Sequence, residues 1–177
     1  MSGRLFLAIV PGASPAARIH RLAEVVKRAH HFDGNLIGPD CLHVTLFFLG
    51  GGSDAREHVV RMACEAAQDV RMPSFEVSFD RIASFRGRPG HHPFVLLGGD
   101  GLSRLKLLRQ TLGAQMARNG LKHLVKADFN PHVTLLYDRR KVEEQPIEPI
   151  FWTVDAFVLI HSMNGHAHLA RWPLCVE

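Results

Sequence analysis

Cysteine is scarce in this chain. Its three cysteines, Cys41, Cys64 and Cys175, form no CxxC pair and are too few for a disulfide framework, so a reducing, cytoplasmic setting is expected. Long apolar runs are missing too. The N-terminal stretch Leu5–Val10 spans about six residues, too short for a signal-peptide core, and nothing later approaches the roughly 18 needed to span a bilayer, so no membrane association is expected. No run of Arg or Lys marks a nucleic-acid tail, although the net charge of +4 suits a polyanionic partner met locally. Threonine is rare as well, with four in 177 residues.

That last scarcity gives weight to what is present. The tetrapeptide His-Val-Thr-Leu occurs twice, at 43–46 and 132–135. With 12 His and four Thr, random placement gives roughly 0.3 His-x-Thr triplets, and the two found also share Val and Leu. Each copy opens an apolar run, HVTLFFLG and HVTLLYD, and the copies lie about half the chain apart, which suggests an internal duplication. On a strand, alternate side chains share a face, so His43, Thr45 and Phe47 point one way and Val44 and Leu46 the other; His132 and Thr134 pair likewise.

Two such faces across a gap suit acid–base cleavage of a phosphodiester. Histidine exists both neutral and protonated near pH 7, so one ring can accept a proton from water while the other gives one to the leaving oxygen. The threonine hydroxyls can hold the non-bridging oxygens. Of the other histidines, His30 and His31 end a helix, His91 and His92 lie in a hairpin loop, and His161, His166 and His168 flank the final turn without a companion carboxylate or cysteine cluster at ligand spacing, so no metal is expected.

Strands are expected at Leu5–Val10, Leu42–Leu49, Phe75–Phe85, Phe94–Leu97, Phe129–Tyr137, Phe151–His161 and His168–Leu174. A first helix begins near Ser14 and ends near His31, with Ile19, Leu22, Val25 and Val26 on its apolar face. A second, capped by Ser53 or Asp54, runs to about Val70, and a third covers Leu102–Asn119, closed by Gly120. Pro146 and Pro149 read as loop, and Asn164-Gly165 as a hairpin turn. The order suits antiparallel sheets with helices on one face, an α+β fold.

The segments RLFLAIVP, LHVTLFFLG, SFRGRPGHHPFVLL, FNPHVTLLYD and FVLIHSMNGHAHLARWPL together resemble the two-histidine (2H) phosphoesterases, specifically the RNA 2′,3′-cyclic phosphodiesterases also called 2′-5′ RNA ligases. The resemblance implies one bilobal domain over 1–177 with pseudo-two-fold symmetry, antiparallel sheets lining a central cleft and helices outside. It implies a metal-free, cofactor-free monomer acting on RNA ends or nucleoside 2′,3′-cyclic phosphates. His43 would be the proton donor and His132 the proton acceptor, with Thr45 and Thr134 holding the phosphate. Many relatives carry Arg where this chain has Tyr137, which bears on how the phosphate's charge is met. Phe47 is either a base-stacking or a core aromatic, and Arg86 and Arg88 are either contacts to RNA phosphates or merely solvated loop residues. Two other functions remain open: a 2H enzyme acting on another small cyclic phosphate or a 2′-5′ oligonucleotide, and a non-catalytic RNA-binding module.

Overall fold

The computed structural model describes residues 3–51 and 56–175. It contains β1 (Arg4–Ile9), α1 (Ala13–Ala29), β2 (Val44–Gly51), α2 (Arg56–Gln68), β3 (Phe75–Ser84), β4 (His92–Leu97), α3 (Ser103–Met116), β5 (His132–Asp138), β6 (Gln145–Val154), β7 (Ala156–Ser162) and β8 (His166–Pro173). The proposed cap of the second helix, Ser53 or Asp54, lies outside the described residues. No helix is long and apolar enough to cross a membrane among the described residues.

Two four-stranded antiparallel sheets result, ordered β2-β1-β7-β8 and β5-β4-β3-β6. The fold is α+β and its two halves match. In each, a strand is followed by a helix and then by the motif strand, which returns to pair beside the first at the sheet's edge: β1-α1-β2 and β4-α3-β5. One face of both sheets joins the helices in a common core. Leu5, Leu7 and Ile9 of β1 enter it, as do Ile19, Ala23 and Val26 of α1 and Leu105, Leu108, Leu112 and Met116 of α3. Spacings of three and four place these residues on one helical face. Val25, expected there too, is turned outward and exposed. The opposite faces carry smaller apolar groups, Phe6, Ala8, Val158 and Ile160 on one sheet and Ala83, Val95 and Leu97 on the other.

Three expectations need correction. Residues 145–154 form a strand, not a loop, despite Pro146 and Pro149. β6 is an edge strand, where a proline's missing N–H leaves no neighbour unpaired. The expected strand Phe151–His161 is in fact split at Asp155, where the chain leaves one sheet for the other. The third helix stops at Met116; the chain then unwinds through Asn119 and through Gly120, whose φ of +84° favours glycine.

Candidate active site

His43 directly precedes β2 and His132 is the first residue of β5. Each ring is fixed in the same way: Nδ1–H donates to the backbone carbonyl two residues upstream, His43 to Cys41 at 2.8 Å and His132 to Asn130 at 2.7 Å. A carbonyl only accepts, so Nδ1 carries the proton in both neutral rings and Nε2 is left with its lone pair for the cleft. Each ring also rests against one phenylalanine. Phe6 stacks on His43 with centroids 4.8 Å apart, and Phe85 meets His132 edge-on at 5.0 Å.

Both motif strands carry a bulge at the same place. The register skips Leu46 against β1 and Leu135 against β4, the residue after the threonine in each case. An extra residue breaks the strict alternation. Thr45 faces the cleft, Leu46 and Phe47 both turn into the core, and Phe48 emerges, 53% exposed. On β5, Thr134 faces the cleft, Leu135 and Leu136 are buried, and Tyr137 emerges. Phe47 therefore belongs to the core, correcting its placement on the His43 face, and Phe48 is the positional equivalent of Tyr137.

This difference is measurable. Phe47→Ala should cost about 3–5 kcal/mol in urea unfolding, as removal of a packed core aromatic does. Phe48→Ala should leave the midpoint within about 0.5 kcal/mol of wild type, as exposed positions do, and act on substrate KM instead.

His43, Thr45, His132 and Thr134 line a single cavity of about 660 Å³, with Phe48 and Tyr137 at equivalent points along it. Tyr137 stacks on His91, centroids 4.5 Å apart and planes 4° from parallel. Arg86, by contrast, is an exposed loop residue outside the cavity lining. The cavity has further basic side chains that the motif did not reveal. Arg4 of β1 lines it, as does His166 at the start of β8, whose ring meets His43 edge-on at 4.9 Å and Phe6 at 5.6 Å. The Asn164-Gly165 turn sets His166 opposite Ser162 on β7, and that hairpin register was the only sequence signal for it. His166 Nδ1 is buried without a partner, and burial followed by the charge of His168 lowers its pKa.

Electrostatically, the site is prepared for negative charge. Burial is the main influence on His43, lowering its pKa from 6.5 to about 4. The Cys41 carbonyl works against that, while repulsion from His166, His132 and Arg4 adds to it. A site that cannot afford another cation when empty is one in which an entering anion draws a proton in.

A buried carboxylate holds the two halves together beside the site. Asp138, the last residue of β5, is 4% exposed. Its Oδ2 accepts from the backbone N–H groups of Asp33 (2.6 Å) and Gly34 (2.8 Å), and its Oδ1 from that of Arg140 (2.8 Å). Ile37 N–H then donates to Leu135 O at 2.8 Å, so the connector leading to His43 is docked on the strand of His132. Gly34 is required there, because a Cβ would collide with the Tyr137 carbonyl. Among the described residues no group of three or more His, Cys, Asp or Glu is arranged to hold a metal ion.

Comparison with known proteins agrees with this geometry. The family model of the 2′-5′ RNA ligase superfamily matches residues 11–166. The RNA 2′,3′-cyclic phosphodiesterase of Escherichia coli (strain K12) is 31% identical over 159 residues, covering 83% of this chain and 85% of that protein. The crystal structure of E. coli LigT complexed with 3′-AMP superposes with a TM-score of 0.70 at 28% identity, covering 98% of this chain and 99% of that one. TT0787 of Thermus thermophilus, at 20% identity and a TM-score of 0.73 over 98% of this chain and 99% of its own, shares the fold. The duplicated motif, the matched halves and these likenesses agree: the chain belongs to the 2′-5′ RNA ligase superfamily and is a two-histidine phosphoesterase.

Proposed function

We propose that this chain opens RNA-terminal 2′,3′-cyclic phosphates to 2′-phosphates. The observation that carries the reading is the matched anchoring of His43 and His132, which leaves one Nε2 from each half for a single cavity. Water attacks phosphorus, the P–O3′ bond breaks, His132 takes the proton from water, and His43 gives one to O3′. Thr45 and Thr134 donate to the non-bridging oxygens as charge builds there. A 5′-hydroxyl in place of water, with the same bond broken, makes a 2′-5′ linkage. The E. coli relative's name, and the structures of E. coli LigT with 3′-AMP and with phosphate, support a nucleotide phosphate as the ligand class.

His43 acts as donor only if protonated, and in the free protein its pKa of about 4 leaves it neutral at pH 7. That observation alone favours the exchanged assignment, with His43 as base. Substrate charge restores the first: a phosphate anion beside a half-buried imidazole favours its cation more strongly than it would in water. Arg4, on the opposite sheet from Tyr137, is the permanent cation available to balance phosphate charge where relatives carry Arg. Both motifs come from one chain and share one core, which supports a single-domain monomer as the working unit. Three free cysteines support a reducing, cytoplasmic setting.

Product analysis tests the reading. An oligonucleotide ending in a 2′,3′-cyclic phosphate is expected to yield a 2′-phosphate, faster than nucleoside cyclic phosphates or 2′-5′ dinucleotides do. A 3′-phosphate would mean that the acid serves the other oxygen. Binding without turnover would leave an RNA-binding module.

A further inference from the structure

Behind the motif strands lies a second cavity of about 640 Å³, bordered by α3 and the segment leading to β5. Lys106, Lys122 and Lys126 stand around it, Val125 and Phe129 contribute apolar surface, and none of the described residues lining it is acidic. None of these lysines is in an ion pair with any described residue. Arg109 completes the lining. Its guanidinium carbon lies 4.6 Å from the ring centroids of both Phe47 and Phe129, Nε donates to Leu46 O at 3.2 Å, and Nη2 donates to Lys126 O at 2.7 Å. No carboxylate pairs with it among the described residues, and burial lowers its pKa.

A half-buried guanidinium held by rings and carbonyls, with three further ammonium groups around the same hollow, lacks only negative charge. Several cations spread along a rim call for several anionic groups. The mainly apolar lining calls for a flat apolar component on the same ligand. The volume is that of a small-molecule site, too small for a folded partner. We propose that this cavity binds a nucleoside polyphosphate, with the base over Phe129 and Val125 and the phosphates across Lys106, Lys122 and Lys126. The site adjoins both motifs: Arg109 holds the carbonyl that follows Thr45, and Phe129 precedes Asn130, whose carbonyl anchors His132. It is separate from the cleft and does not depend on the reaction proposed there.

The test is a titration of the intact chain with ATP, followed by NMR at the backbone amides of Ala114, Ala117 and Ala127 for the cavity and of Thr45 and Thr134 for the cleft. A triple charge reversal, Lys106→Glu, Lys122→Glu and Lys126→Glu, is the comparison; all three side chains are exposed, so the fold should survive it. The cavity amides should shift saturably in wild type and at least about tenfold more weakly in the variant, while ATP-free hydrolysis of a cyclic phosphate stays within about twofold. Shifts confined to the cleft amides, or equal ATP affinity in the variant, would overturn the proposal. Inactivity of both proteins on cyclic phosphate would count against the cleft chemistry alone.

Discussion

His43→Ala and His132→Ala should each lower kcat on a nucleoside 2′,3′-cyclic phosphate by about 10²–10⁴ in the presence of EDTA, the range typical of removing one proton-transfer group. The effects should not add. Once either ring is gone, proton transfer at one end of the breaking and forming bonds is lost, so the double variant should be little worse than the more damaged single. KM should rise less than kcat falls, because Thr45, Thr134, Arg4 and the remaining histidine still line the cavity. His43 also packs on Phe6 and His166, so His43→Gln, which keeps most of the bulk, separates chemistry from loosened packing. Normal turnover in either alanine variant, or loss of wild-type turnover on chelation, would rule out the two-imidazole mechanism.

Asp138→Ala should have the second large effect, and on stability. It leaves three backbone donors, those of Asp33, Gly34 and Arg140, without their acceptor at a position that is 4% exposed. Unmet buried donors cost about 1–3 kcal/mol each, and water can reach part of this site, so a loss of about 2–4 kcal/mol in urea unfolding is expected. Asp138→Asn keeps one acceptor oxygen and should lose roughly half of that. The surface pairs of Arg139 and Arg140 with Asp33 are exposed and offset little of it.

Acid gives the same information without mutation. Burial alone would raise the Asp138 pKa, but the three N–H donors and the Arg140 charge outweigh it and hold the carboxyl below its ordinary 3.8. The native state therefore binds this proton less readily than the unfolded chain. The contribution is fully present above 3.8 and drains away as pH falls through the lowered native value. Wild type should show this acid loss and Asp138→Ala should lack it.

How far the sequence reveals this site depends on which interactions decide each feature. His43, Thr45, His132 and Thr134 were legible because one strand's alternation and one repeat fix them. Phe47 and Phe48 were not. Their sides depend on a bulge created by pairing with β1, and the same holds for Tyr137 and β4. The signal was nonetheless present in duplicate, since in each copy two apolar residues separate the threonine from the aromatic that emerges. The prolines of β6 read as loop because a single sequence does not say which strand lies at a sheet's edge. His166 reaches His43 only through the tertiary stacking of three rings, and Asp138 reaches the connector only across 104 residues of chain. Gly120 and the Asn164-Gly165 turn act locally and were readable.

The central claim is that two imidazoles from opposite halves meet one phosphate. Inorganic phosphate titrated into the protein, with ring nitrogens followed by NMR, tests it most directly. In the free protein, His43 should titrate near its lowered value of about 4. With phosphate, the His43 and His132 resonances should move together with one Kd and one equivalent bound, and His43 should gain its proton at a distinctly higher pH. Rings that respond with different affinities, or a His43 that phosphate leaves unmoved, would contradict the account.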